Sequence, residues 1–280
     1  MSFQSQKRDR EIGVCGGKAM KVTYRNPGFE HSIDSILLFQ TDDTTPYWSD
    51  ALFYFYPQVS PEKMKRLRLN EKKEYMKREL KTVWDGLEDE LNSKVNLYNM
   101  HFAKYHDQIE DALTDAFELD TRTIFNDLVG NISLNPVCPR FLKERYFDIF
   151  YKNSERGCLG MSIHEVIHYI WFYVWNNHFG DNYSEYDSPS LKWILSEMVV
   201  ESIMDDERLA SINPYYPREH GGCVYRYFQD MNIQGKPILD TLRELYKVNH
   251  ITDYMEASYR YCIENEETIR SHIEEAEKAF

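Results

Sequence analysis

The chain has 280 residues, 42% hydrophobic and 15% aromatic, which is enough for a sizeable core in one or two domains. Its formal net charge of −13 argues against nucleic acid or an anionic membrane as the main partner. It contains no apolar run of about 18 residues and no signal-peptide core near the start, so no membrane span is expected, and its five scattered cysteines, without a CxxC pair, suit reduced thiols in a cytoplasmic protein.

Residues 1–19 are polar with a Gly pair and read as a mobile tail. Residues 20–40 mix two short β-prone runs, MKVTY and SILLF, around a Pro-Gly turn at 27–28. Thr45-Pro46 reads as the cap and first residue of an aromatic helix, and Ser60-Pro61-Glu62 opens a second, long one. Its apolar stripe is Leu80, Val83, Trp84, Leu87, Leu91 and Val95, and helical periodicity resumes through 101–118 and 122–130. The Lys- and Arg-rich stretch Lys63–Lys81 reads as a solvated helix face rather than a docking surface. Two prolines break the pattern at 134–140.

Arg145–Tyr151 is aromatic, lacks Gly and Pro, and reads as a strand. A turn at 154–158 then leads into a helix over roughly 159–179 that is apolar nearly all round and therefore buried. Ser188-Pro189 opens the next helix, which carries Glu197 and Glu201, and further helices fill 223–280. The fold expected is mainly α with a small β element. A mostly helical part over 20–140 precedes a part over 141–280 that bears the chemistry, unless the two form one continuous domain.

The buried helix contains His164-Glu165-Val166-Ile167-His168. Histidines four apart share one helix face, so both imidazoles reach one metal ion, with the glutamate beside it. A zinc hydrolase needs a third protein ligand and an open position. The metzincin continuation HExxHxxGxxH fails here, because Trp171 and Val174 stand where it needs glycine and histidine. A deformylase reading fails too, since Cys158 lies only six residues before His164 without the Gly-rich context. What remains is a carboxylate on the following helix. Glu197 and Glu201 both lie there, in an apolar run where a glutamate pair is costly unless a cation compensates it.

With HExxH followed by Ser196-Glu197-Met198-Val199-Val200-Glu201, the chain resembles the gluzincins, the thermolysin-like clan of zinc peptidases, over roughly 145–205. The resemblance implies a minimal zincin core with His164, His168 and Glu197 as zinc ligands. Glu201, standing where an aspartate is commoner, would orient a ligating histidine. The register one turn on, Glu201 as ligand with Asp205 behind it, is the lesser alternative. Glu165 would be the general base that activates water for attack on a peptide or protein substrate. The clan's oxyanion donor, a His or Tyr, lies downstream, which makes His220 and Tyr225 its candidates here, and Arg218 a candidate substrate contact. Strand 146–151 could pair with an extended substrate. Histidines 31, 101, 106, 178, 250 and 272 stand singly, as surface or satisfied residues. Two competing readings are a peptidase-like module that binds a metal or partner without turnover, and a metal hydrolase of a non-peptide amide or ester.

Overall fold

The computed structural model describes residues 19–181 and 186–279, so the expected N-terminal tail lies almost wholly outside the described residues. The protein is mainly α with a small β element, as expected. The first half runs β1 (Val22–Arg25), α1 (Phe29–Leu37), α2 (Pro46–Phe55), α3 (Pro61–Met64), α4 (Leu69–Asp85) and α5 (Glu88–Phe117). Strands β2 (Leu128–Ser133), β3 (Arg140–Phe141) and β4 (Tyr146–Phe150) follow. Then come α6 (Glu155–Phe179), α7 (Leu191–Met204), α8 (Glu207–Ala210), α9 (Arg226–Gln229), the two-residue strands β5 (Asn232–Ile233) and β6 (Lys236–Pro237), α10 (Ile238–Val248), α11 (Ile251–Glu264) and α12 (Glu266–Lys278).

The main sheet has the order β1-β2-β4-β3, with β1, β2 and β4 parallel and β3 antiparallel at one edge. It joins strands from both sides of residue 140. Two local expectations are corrected by it. The run 122–130 is not helical: residues from Leu128 pair with β1 and β4, and Gly130 sits under the Tyr24 ring, where a Cβ would come within 2.7 Å. SILLF is not a strand but the end of α1, because Ile33 and Ile36, three apart, bury one helix face. Short apolar runs carry no period long enough to separate the two.

The long helix expected from Ser60 is three. Ser60 caps only the single turn α3, accepting from the Lys63 amide at 3.3 Å, and Gly86 ends α4. The basic face of α4 is spent inside the chain: Lys73 pairs with Asp34, Lys77 with Glu30 at 2.7 Å, and Lys72 donates to the Gln40 carbonyl at 2.7 Å.

Helices α6 and α7 form the centre. The expected turn at 154–158 is already the first turn of α6, since the Ser154 hydroxyl accepts from the Gly157 amide at 3.1 Å. Gly180, with φ of 71°, closes the helix in the left-handed conformation glycine tolerates. Ser190, not Ser188, caps α7, accepting from the Trp193 amide at 3.0 Å. Ile163, Val166, Ile167, Ile170 and Trp171 of α6 and Leu195, Met198, Val199 and Ile203 of α7 are almost fully buried. At about 1.5–3 kcal/mol for each large apolar side chain, this packing can hold several polar groups at the same depth. No helix is long and apolar enough to cross a membrane among the described residues.

Candidate metal centre

His164, Glu165 and His168 project from α6, Glu197 from α7 and Arg140 from the edge strand β3. The α6–β3 junction is held by the Tyr169 hydroxyl, which donates to the Tyr146 carbonyl and lies 3.0 Å from the Phe141 carbonyl. Cys138, at φ of 56°, turns the chain into β3.

The Nε2 atoms of His164 and His168 face each other at 2.9 Å. Glu197 brings Oε2 to 3.3 Å from His164 Nε2 and Oε1 to 3.5 Å from His168 Nε2. Ligands at about 2.0–2.1 Å from a tetrahedral zinc stand roughly 3.3 Å apart, so the two carboxylate separations match and the histidine pair is a few tenths of an ångström tight. His168 and Glu197 are fully buried. Among the described residues these three form the group of His, Cys, Asp and Glu side chains that could hold a metal ion. Glu197 Oε2 is buried without a hydrogen-bond partner among the protein's own groups. An acceptor left so at this depth fits a cation. Two imidazoles and a carboxylate are a donor set that suits zinc.

The charge states of His168, Glu197 and Glu165 agree with that use, and that of His164 opposes it until a metal displaces its proton. Burial, then the neighbouring Arg140, pulls His168 down to about 3, so it is neutral as a ligand must be. His164 is raised: burial would lower it, but the Glu197 and Glu165 carboxylates outweigh burial. Glu197 is held well below the usual carboxylate range, burial being overcome by the positive charge of its neighbours, Arg140 among them. Glu165 is raised, chiefly by burial, and its Oε2 has no hydrogen-bond partner within the chain. A carboxyl displaced toward neutrality in the lining of a cleft is suited to taking and returning a proton.

The sequence missed Arg140. Its Nη1 donates to Glu197 Oε1 at 2.8 Å and lies 3.8 Å from Glu165 Oε2. No periodicity singles out one arginine in a Pro-broken stretch; only the β3 turn carries it there.

Glu201 does not orient a histidine. It accepts from Arg218 at 2.5–3.0 Å and from Arg243 at 2.7 Å. His164 is oriented instead by a backbone group, its Nδ1 donating to the Cys223 carbonyl at 2.9 Å. That carbonyl belongs to the loop 213–225, which Arg218 anchors and which packs closely on the start of α6. A Cβ on Gly157 would come within 2.7 Å of the Tyr215 hydroxyl, and one on Gly160 within 2.6 Å of Asn213 Oδ1. Asp205, the acid behind Glu201 in the alternative register, accepts from the Tyr216 hydroxyl. Arg218 also pairs with Asp240 at 3.1 Å, so its guanidinium is committed away from substrate. His220 is exposed on a turn and does not line the cleft.

Tyr225 does line it. The cleft is a cavity of 890 Å³ whose floor includes His164, Glu165 and Glu197. Its aromatic wall is Trp48, Trp193 and Tyr225, with the Trp48 and Tyr225 rings edge-on at 5.2 Å. Strand β4 cannot add a substrate strand where expected, because β2 covers one edge and β3 pairs with Tyr146 and Phe147 on the other. The edge facing the cleft is β3. No family model matches this chain, and neither a curated protein nor a solved structure does.

Proposed function

We propose that the protein is a zinc-dependent hydrolase, most simply a peptidase, with His164, His168 and Glu197 as the metal ligands. The observation that carries this reading is the convergence of three buried donor atoms with Glu165 beside them in one cleft. Bound there, zinc would supply a Lewis acid and an acidified water. Glu165 takes the proton of the attacking water at its unpartnered Oε2 and returns it to the leaving amine, for which its raised affinity for protons suits it. His168, kept neutral, and His164, held by the Cys223 carbonyl, stay fixed through the reaction. The aromatic wall excludes water and receives an apolar substrate group.

The Arg140–Glu197 pair at 2.8 Å favours a second reading. In that reading the arginine neutralises Glu197 and the cluster works without metal, as part of a binding module. Metal analysis of the wild type beside Glu197→Ala and Glu201→Ala separates the two. One equivalent of zinc in the wild type and in Glu201→Ala, lost in Glu197→Ala, is expected; a metal-free wild type after zinc loading would sink the hydrolase reading. Glu165→Gln should keep its zinc while hydrolysis of a peptide library falls about 100-fold or more, the scale of general-base catalysis.

A further inference from the structure

The guanidinium of Arg140 is only half used. Nη1 is engaged by Glu197, which fixes the plane of the group, because its donors form one rigid fork. Nη2 is buried and meets no acceptor of the protein, although the side chain is only 12% exposed. A buried charged donor without an acceptor is costly, and a native structure that keeps one has a use for it. Arg140 lines the cleft from β3, the sheet edge that faces it.

Charge points the same way. The site holds two carboxylates, Glu165 and Glu197, and one guanidinium beside the two histidines. A divalent cation would balance the carboxylates, and Arg140 would leave one positive charge over. That surplus favours an anionic oxygen in the cleft. Neither downstream candidate from the sequence supplies such a charge: His220 is exposed outside the cleft, and Tyr225 offers an aromatic wall.

We infer that Arg140 is the anion-binding residue of the cleft, its Nη2 donating to a negatively charged oxygen of the substrate beside the metal position. This rests on the metal reading of the site. Two sources share the chemistry: the oxyanion that forms when water attacks the substrate carbonyl, and a carboxylate that the substrate already carries. In the first case the carbonyl π pair moves onto oxygen as the new C–O bond forms, Glu165 holds the proton, and Arg140 faces the resulting charge.

The test uses cobalt(II) in place of zinc, so that anion binding is read from the visible spectrum without any substrate. Wild type, Arg140→Met, Arg140→Lys and Tyr225→Phe are loaded with cobalt and titrated with inorganic phosphate and, separately, acetate. Arg140→Met should keep its cobalt and bind anion roughly tenfold or more weakly, the scale of one charge-assisted hydrogen bond. Arg140→Lys, which keeps the charge but not the fork, should fall between. A larger effect on phosphate assigns the tetrahedral oxyanion; a larger effect on acetate assigns a substrate carboxylate. Anion affinity unchanged in both Arg140 variants, or lost in Tyr225→Phe instead, overturns the inference. If Arg140→Met fails to fold, Arg140→Lys with wild-type anion affinity overturns it as well. A wild type that takes up no cobalt refutes the metal reading itself, which is a different outcome from cobalt uptake without an Arg140 effect.

Discussion

Replacing Glu197 by Gln keeps the shape of the side chain and removes its charge. In the metal-free protein the substitution leaves Arg140, 12% exposed, with only the more distant Glu165 carboxylate at 3.8 Å. Breaking a buried ion pair from one side costs about 3–5 kcal/mol. The amide oxygen of glutamine can still accept from Nη1 at the present 2.8 Å, which places the expected loss near the lower end, at about 3 kcal/mol. For a chain of this size that is a melting temperature lower by roughly 6–12 °C. The measurement is denaturant unfolding in excess chelator, so that ligand stabilisation by metal does not enter. Combining Glu197→Gln with Arg140→Met removes the stranded charge, and the double variant should recover about 2 kcal/mol relative to additivity. A single variant within about 0.5 kcal/mol of wild type, a surface-like effect, would refute the buried-pair account.

Metal uptake should release a proton near neutral pH. His164 in the metal-free protein is raised, the Glu197 and Glu165 carboxylates outweighing burial, so near neutral pH it holds a proton that a metal must displace. Calorimetry in two buffers of different ionisation enthalpy reads this directly, and metal retention should weaken as pH falls; uptake without proton release at pH 6.5 contradicts it. Glu201→Gln should keep one equivalent of metal while stability drops by only about 1–2 kcal/mol, because Arg218 and Arg243 are 31% and 26% exposed and water replaces part of the lost pairing. Metal analysis and urea midpoints check both parts. Gly160→Ala puts a Cβ 2.6 Å from Asn213 Oδ1, so it should push the 213–225 loop off α6, costing about 1–3 kcal/mol and weakening metal affinity through His164.

The parts of the site legible in the sequence are those set by helical period. His164 and His168, four apart, could meet only on one face, and Glu197 stood out as a charge inside an apolar helix. What was illegible depends on chain reversal. Arg140 reaches Glu197 across 57 residues, through a two-residue strand that pairs with β4, and no local pattern encodes that approach. Glu201 was expected to serve a histidine because it lies one turn from Glu197. Its partners, Arg218 and Arg243, lie on segments whose return onto α7 is a tertiary fact. The strands were less legible than the helices for a related reason. The burial of Leu128–Ser133 is set by the strands on either side of it, so its own six residues carry no clean alternation.

The contact between His164 and the Cys223 carbonyl fixes more than an orientation. A carbonyl oxygen has no proton to give, so the one between them sits on Nδ1, and the neutral ring must expose its lone pair at Nε2. The tautomer of a ligand is thus set by a main-chain atom, which side-chain replacement does not remove. An alanine scan would pass over residue 223 with little effect, while a shift in the backbone path there would disable the site with every ligand still in place.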